Sequence, residues 1–213
     1  MIKRPRRPVI HVLAGVNGAG KSSIGGAAIR EAGGEFFNPD EAARRIGVDD
    51  PAVSIVEANA LAWDTGRTLL ERAIAERLDY TFETTLGGQT ITRLLHAALH
   101  AGFEVRIWYV GLESPELHLA RVRARVKAGG HDIPEATIRV RYDASRLNLI
   151  GLMLEATEVR VYDNSTDANP RLGAAPQPIL LLHTVRGKVR LYAPLDAVPD
   201  WAKPILAAII WRT

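Results

Sequence analysis

The chain has 213 residues, of which 47% are hydrophobic and 24% are charged, and this ordinary globular composition excludes a disordered or linker-like protein. The formal net charge is +3, but four basic residues with no acidic neighbour lie within the first seven positions. The body of the protein is therefore not basic. We predict that residues 1–7 form a basic, flexible tail, which carries Lys3, Arg4, Arg6 and Arg7.

The sequence contains no cysteine, which excludes disulfides, thiolate metal sites and thiol nucleophiles. No run approaches the roughly 18 apolar residues that a membrane span needs. The basic N-terminus leads into a glycine loop instead of a signal-peptide cleavage pattern. We therefore expect a soluble, cytoplasmic protein that makes no contact with a membrane.

Short apolar runs alternate with helical stretches along most of the chain. An apolar run at 8–14 predicts the first buried strand, and the small residues after it predict a helix from Lys21 to about Ala32. This alternation is typical of a mostly parallel sheet with helices on both faces. Further strands are predicted at 35–38, 80–85, 103–112 and 158–163, and further helices from Pro39, over 51–77 and 90–101, from Pro115 to about Gly129, and from Pro134 to beyond Leu154.

The C-terminal part has a different pattern. Residues 166–178 are typical of a loop, residues 179–192 predict a hairpin that turns at Arg186 and Gly187, and residues 200–210 predict a helix. We therefore expect a core over residues 8–165 and a C-terminal extension over residues 166–213, which packs on that core as a hairpin plus a helix.

The most specific motif is GVNGAGKS, which begins at Gly15 and ends at Ser22. It follows an apolar strand and opens a helix, so backbone amides and the helix N-terminus can converge on phosphate oxygens. Lys21 would contact the β and γ phosphates, and Ser22 would coordinate magnesium. A plain glycine-rich turn is the alternative. The residues predicted to bind the nucleotide are Gly15, Asn17, Gly18, Ala19, Gly20, Lys21, Ser22 and Ser23.

Two acidic residues follow predicted strands at the sheet edge where ligands of α/β folds gather. Asp40 is a candidate base for a hydroxyl acceptor, and a residue that merely stabilises a helix N-terminus is the alternative. Glu83 could hold a substrate hydroxyl or a magnesium-bound water, with Thr85 adding a hydrogen bond, whereas a solvated strand end is the alternative. Because the strand at 103–112 carries no acid at its apolar end before Glu113, Asp40 or Glu83 would have to complete the magnesium site.

Residues 121–146 carry a local net charge of +4. Arg121 and Arg125 are four residues apart and therefore share one face of a helix. Two helices joined by a glycine-containing turn, with arginines on the inner side, would form a lid that closes over a triphosphate. For any single arginine, a solvated helix surface is the alternative.

Five segments together resemble the zeta toxin family of P-loop kinases, in particular the zeta-like bacterial ATPases that are loosely labelled ABC-type. The resemblance covers about residues 8–165. It implies a three-layer α/β/α fold of the nucleoside-kinase type with a helical lid, ATP and Mg²⁺ as cofactors, transfer of the γ-phosphate to UDP-N-acetylglucosamine, and a small antitoxin as partner. The segments are GVNGAGKSS, NPDEAARR, FETTLGG, RVRARVKAGGHDIPEATIRVRY and VYDNS.

The resemblance also implies roles for single residues. Asp40 matches the catalytic base, Glu83 matches a sugar-contacting acid, and Arg121 or Arg125 matches an arginine that stabilises the transferred charge. His131 stands where the toxins have a second lid arginine. Asn164 lies in a segment that resembles the region near the adenine in related kinases, and a plain turn is an equal alternative there.

Two other functions compete with a kinase. Leu86-Gly87-Gly88-Gln89 superficially resembles the signature loop of a true ABC-type ATPase, but the strand at 103–112 does not end in the Asp-Glu pair that such an enzyme needs. A nucleotide-dependent binding protein could instead use the basic tail on nucleic acid. Since the basic tail and residues 121–146 are local clusters on an otherwise acidic body, the charge favours an anionic small molecule over nucleic acid.

Overall fold

The computed structural model describes residues 6–31, 34–166 and 177–210. Its six-stranded sheet has the order β2-β1-β3-β4-β5-β6. The first four strands of this order run parallel, and β5 and β6 are antiparallel to their neighbours. The predicted α/β fold with a mostly parallel sheet is therefore confirmed. The strands are β1 (Val9–Ala14), β2 (Tyr80–Thr84), β3 (Glu104–Gly111), β4 (Glu158–Asp163), β5 (Ile179–Val185) and β6 (Lys188–Tyr192).

A π-helical turn, Ser22–Gly26, and seven α-helices within the described ranges complete the fold. Polar caps define two of the helix starts that position the site, because the side chain of Asn38 accepts from the amides of Asp40 and Glu41, and that of Ser114 accepts from the amide of Leu117. The helices are α1 (Ala27–Glu31), α2 (Pro39–Asp49), α3 (Ile55–Glu76), α4 (Gln89–His100), α5 (Pro115–Lys127), α6 (Glu135–Met153) and α7 (Lys203–Ile210).

The main hydrophobic core lies on one face of the sheet. Buried residues of the strands, such as Ile10, Ile107 and Val161, pack there against residues of α3, α4, α6 and α7. On the other face, Val110 packs against Ile24 of the π-helical turn and a residue of α5. Helices therefore contact both faces, and the π-helical turn and α5 meet at the carboxyl end of the parallel strands.

Several predicted boundaries differ from the structure. The helix predicted from Pro134 to beyond Leu154 ends at Met153, and the helix predicted over 200–210 begins only at Lys203. Residues 35–38 form no strand, and only Phe37 makes an isolated bridge, to Phe82, because Pro39 begins α2 two residues later. The helix predicted from Lys21 is divided into the π-helical turn and α1, and both Gly25 and Gly26 lie in that turn. The helix predicted over 51–77 begins only at Ile55, since Ser54 and Glu57 form a capping box.

The C-terminal hairpin extends the sheet. β5 pairs with β4, and the hairpin turns at Arg186 and Gly187 as predicted. Trp201, just before α7, donates from Nε1 to Asp163 at the end of β4 over 3.0 Å. The division of the chain into a core and an extension stays a prediction, and residues 167–176 of the predicted loop lie outside the described residues.

The ends of the chain are described only in part. Residues 1–5 of the predicted tail lie outside the described residues, and Arg6 forms an ion pair with Asp79. Among the helices that the structure describes, none combines the length and the apolar character that crossing a bilayer requires.

Candidate active site

The GVNGAGKS loop connects β1 to the π-helical turn and lies against β3. Gly15 has a φ of 139°, and a Cβ on this residue would lie 2.1 Å from the carbonyl oxygen of Val110. Only glycine fits this position. Asn164, at the end of β4, donates from Nδ2 to the carbonyl of Ala19 over 2.9 Å, and a Cβ on Gly20 would lie 2.6 Å from that Nδ2. The loop therefore packs against β3 and against Asn164, the residue that follows β4.

A buried polar cluster joins the loop to β2. The Nζ of Lys21 lies 3.4 Å from Oε1 of Glu83, and both side chains are less than a tenth exposed. The hydroxyl of Ser22 donates to Oε2 of the same carboxylate over 2.7 Å. Nδ2 of Asn38 lies 3.3 Å from the Ser22 hydroxyl oxygen and 3.5 Å from Glu83. One carboxylate therefore connects the phosphate loop, the end of β2 and the start of α2.

The oxygen atoms of this cluster suit Mg²⁺. Mg²⁺ prefers oxygen ligands and is usually bound by one or two protein groups together with substrate phosphates and water. Ser22 and Glu83 supply a hydroxyl and a carboxylate 2.7 Å apart. Within the described residues, no group of three or more His, Asp or Glu side chains is arranged to hold a metal alone. The residues present therefore fit a magnesium ion that is shared with a bound nucleotide.

The side chain of Asp40 contacts the predicted lid. Its carboxylate accepts from Arg125 over 3.0 Å, and Nε2 of His131 lies 3.5 Å from its other oxygen. Arg125 also donates to the carbonyl oxygen of His131 over 3.1 Å. Arg125 and Asp40 are 85 residues apart in sequence, so the fold brings the candidate base and a candidate lid arginine together. The predicted magnesium ligation by Asp40 stays a prediction.

Two further side chains hold the apex of the phosphate loop at Asn17. Arg141 of α6 donates to Oδ1 of Asn17 over 2.9 Å. His118 of α5 bonds the carbonyl oxygen of Asn17 over 2.8 Å through Nδ1, which must carry the proton because a carbonyl oxygen only accepts. Burial lowers the pKa of Arg141, although the nearby carboxylate of Asp40 partly offsets this shift. Both helices of the predicted lid therefore contact the loop.

Comparison with known families agrees with this geometry. The sequence model of the AAA domain matches residues 10–144, which include the phosphate loop, Asp40, Glu83 and most of the arginine-rich segment. The chain belongs to the AAA domain family. An uncharacterized protein of Haemophilus influenzae is 33% identical over 128 residues, which cover 60% of this chain and 88% of that protein.

Solved structures resemble this AAA domain at the level of the fold. The AvrRxo1-ORF1:-ORF2 complex with ATP has a TM-score of 0.62 at 17% identity and covers 87% of this chain and 60% of its own. The present chain thus spans about three fifths of that chain's length. A structure of the PezAT chromosomal toxin–antitoxin system of Streptococcus pneumoniae has a TM-score of 0.55 at 16% identity and covers 82% of this chain and 75% of its own. These similarities indicate a P-loop kinase-like fold.

The remaining predicted site residues lie on or beside the phosphate loop, the π-helical turn and the end of β2. The β-carbon of Arg121 lies 3.5 Å from where a Cβ on Gly18 would stand. Thr85 accepts at its hydroxyl from the amide of Gly87 over 3.4 Å, and its carbonyl accepts from Ser145 of α6. Ser23 is exposed on the π-helical turn. The contact shown for Asn164 is with the loop itself, so its position beside an adenine stays a prediction.

Three side chains that contact the site were not among the predicted site residues. Asn38 was noted only as the start of a segment, Arg141 only as a member of the basic cluster, and His118 not at all. Sequence spacing could not predict these contacts, because Arg141 is 124 residues and His118 is 101 residues away from Asn17 in the sequence. The available signal for Arg141 was the +4 charge of residues 121–146.

We expect the stability of the AAA domain to depend on pH through His118. Burial lowers the pKa of this imidazole from its ordinary 6.5 to about 4. Between these values the unfolded chain binds a proton that the folded chain does not, so the free energy of unfolding falls as the pH drops through this window. His118→Asn keeps an amide donor near Asn17 and removes the titration.

The measurement is urea unfolding of both proteins from pH ~7 to pH ~4.5. The natural protein should lose up to about 3 kcal/mol more than the variant over the full window. Parallel losses in the two proteins would contradict the neutral, buried state of His118.

Proposed function

We propose that this AAA domain is an ATP-dependent phosphotransferase, which transfers the γ-phosphoryl group of ATP to a hydroxyl group of a small molecule. One observation carries the proposal. The start of α2 places Asn38 against Ser22 and Glu83, and it places Asp40, two residues later, beside Arg125 of the lid. A phosphate site and a candidate base for an acceptor therefore share one helix start.

The phosphate loop would bind the nucleotide. Its backbone amides and the π-helical turn supply the donors that phosphates need, and Lys21 and Ser22 stand at the positions that reach the β and γ phosphates and magnesium in P-loop proteins. The similar AvrRxo1-ORF1:-ORF2 structure is a complex with ATP, which supports ATP as the nucleotide. Magnesium, when bound by Ser22 and by Glu83 or its water, would neutralise charge on the β and γ phosphates.

Asp40 would act on the acceptor. Its carboxylate is about a third exposed, so a hydroxyl can approach it from the solvent side. The carboxylate would take the proton of that hydroxyl while the hydroxyl oxygen attacks the γ-phosphorus. The bond from the γ-phosphorus to the β–γ bridging oxygen would break, and ADP would leave with that oxygen.

The lid arginines would stabilise the transferred charge. Arg141 is the strongest candidate, because it is already bonded to Asn17 of the phosphate loop and lies against Gly87, where a Cβ would come within 2.7 Å of its Cγ. Arg125 and His131 contact the carboxylate of Asp40. They would therefore contact the acceptor or the phosphoryl group as the lid closes.

For the acceptor, we propose a sugar nucleotide such as UDP-N-acetylglucosamine. The support is the resemblance of five segments to zeta toxins, with Glu83 in the position of a sugar-contacting acid. We also propose a small antitoxin as a partner, because the similar PezAT structure belongs to a toxin–antitoxin system. Both statements go beyond the phosphotransferase activity. Either of them can be wrong while the proposed activity is right.

ADP release across nucleotide sugars, free sugars and nucleosides tests the proposal. Asp40→Asn should lower acceptor-dependent ADP release by about 10²- to 10⁴-fold and leave ATP affinity nearly unchanged, because it removes the base and not the phosphate contacts. Glu41→Gln is the matched control, since Glu41 lies in the same helical turn and pairs with Arg30. Turnover that needs no acceptor and persists in Asp40→Asn would indicate an ATPase or a nucleotide-dependent binding protein instead.

Arg141→Gln should lower the rate of transfer by about 10²- to 10³-fold with a smaller effect on the KM of the acceptor. The matched control is Arg139→Gln, because Arg139 is on the same helix but pairs with Glu116 and Glu135 at the surface. Equal effects of the two substitutions would argue against a role for Arg141 at the phosphoryl group.

A further inference from the structure

A cleft lies at the opposite end of the parallel strands from the phosphate loop. Its volume is about 350 Å³, which is within the range of small-molecule sites. Arg7, Phe103 and Thr157, which line it, precede β1, β3 and β4, so the cleft is at the amino ends of the parallel strands. The phosphate loop follows the carboxyl end of β1. A ligand in this cleft would therefore be separate from the proposed nucleotide site.

The arginine on one wall of the cleft occupies an unusual backbone position. Arg186 has a φ of 51° and Gly187 a φ of 69°, and together they connect the paired residues Val185 and Lys188. A two-residue hairpin turn with positive φ at both positions strongly favours Asn-Gly, because a side chain longer than that of Asn gains no local hydrogen bond there. Arginine at the first position costs stability, and residues in such strained positions are concentrated at functional sites.

The cleft has an apolar part, formed by Leu99, Gly102 and Phe103, but its polar groups are mainly donors and positive charges. Within the described part of the chain, the guanidinium groups of Arg7 and Arg186 form no hydrogen bond or ion pair. The Thr157 hydroxyl accepts from the amide of Val105 over 3.2 Å, so its proton can be donated into the cleft. The acid that lines the cleft is Glu155, and imidazole nitrogens of His96 and His100 lie 3.4 Å from its carboxylate. This set of groups is complementary to an anion.

The backbone around the two arginines is fixed. The amide of Arg186 donates to the carbonyl of Thr157 over 2.9 Å, and the amide of Glu104 donates to the carbonyl of Pro8, next to Arg7, over 2.9 Å. The hairpin turn also lies close to the end of α6, since a Cβ on Gly187 would be 3.0 Å from the carbonyl oxygen of Leu154. Little backbone rearrangement is needed for both guanidinium groups to face one ligand.

We propose that this cleft binds a small, multiply charged anion with phosphate or carboxylate groups through the guanidinium groups of Arg7 and Arg186. This inference does not depend on the proposed phosphotransferase activity. Arg186 lowers the stability of the hairpin turn, but its guanidinium group supplies a contact to the ligand.

Amide NMR titrations with pyrophosphate and, separately, with citrate test the proposal and distinguish the two ligand chemistries. The natural protein should show saturable shifts at Gly102 and Gly187 with at least one of these anions. Arg186→Asn should weaken this binding by tenfold or more and raise the Tm by about 2–4 °C, because Asn suits the turn. Arg190→Gln removes the same charge from β6, outside the cleft, and should preserve the binding.

Three results would overturn the proposal. Pyrophosphate could shift only the amides of the phosphate loop, such as those of Gly18 and Gly20, with citrate shifting neither set. Arg186→Asn could bind both anions as tightly as the natural protein does. Arg190→Gln could weaken binding as much as Arg186→Asn, which would indicate a general attraction to positive charge. Because Arg186→Asn is expected to stabilise the fold, loss of binding in this variant cannot be attributed to unfolding.

Discussion

The shared carboxylate of Glu83 is the interaction on which the rest of the site depends. Three groups, namely the adjacent Lys21 and Ser22 of the phosphate loop and Asn38 before α2, converge on it in a region that water barely reaches. A buried carboxylate is unfavourable unless it is paired and hydrogen-bonded, so this convergence satisfies Glu83 and fixes the geometry of its partners. The phosphate loop, β2 and α2 thereby keep the relative positions that phosphoryl transfer would need.

The helix α6, one of the two helices of the predicted lid, is held against the loops that surround this cluster. It contacts the phosphate loop through Arg141 and Asn17, and it contacts the loop after β2 through Ser145 and Asn148, which donate to the carbonyls of Thr85 and Leu86. Since α6 is held at both loops, closure of the lid would be concentrated in the connection between α5 and α6, which carries His131. The proposed movement of the lid is therefore a local change and not a rotation of the whole helical pair.

The sequence predicted the features that depend on local patterns. The alternation of apolar runs and helices predicted the sheet, the GVNGAGKS motif predicted the loop, and the Arg-Gly dipeptide predicted the hairpin turn. Features that depend on tertiary packing were missed. The strand at 35–38 is reduced to one bridge by Pro39, and the choice of Arg141 over its basic neighbours depends on which face of α6 meets the loop. Periodicity alone cannot specify that orientation.

The most direct test of the central claim is the fate of the γ-phosphoryl group, followed by ³¹P NMR in a reaction with ATP, magnesium and each hydroxyl acceptor that stimulates ADP release. We predict that the γ resonance is replaced by that of a phosphate monoester on the acceptor, and that inorganic phosphate remains a minor product. Conversion of the γ-phosphate to inorganic phosphate alone, with every acceptor tested, would contradict the account.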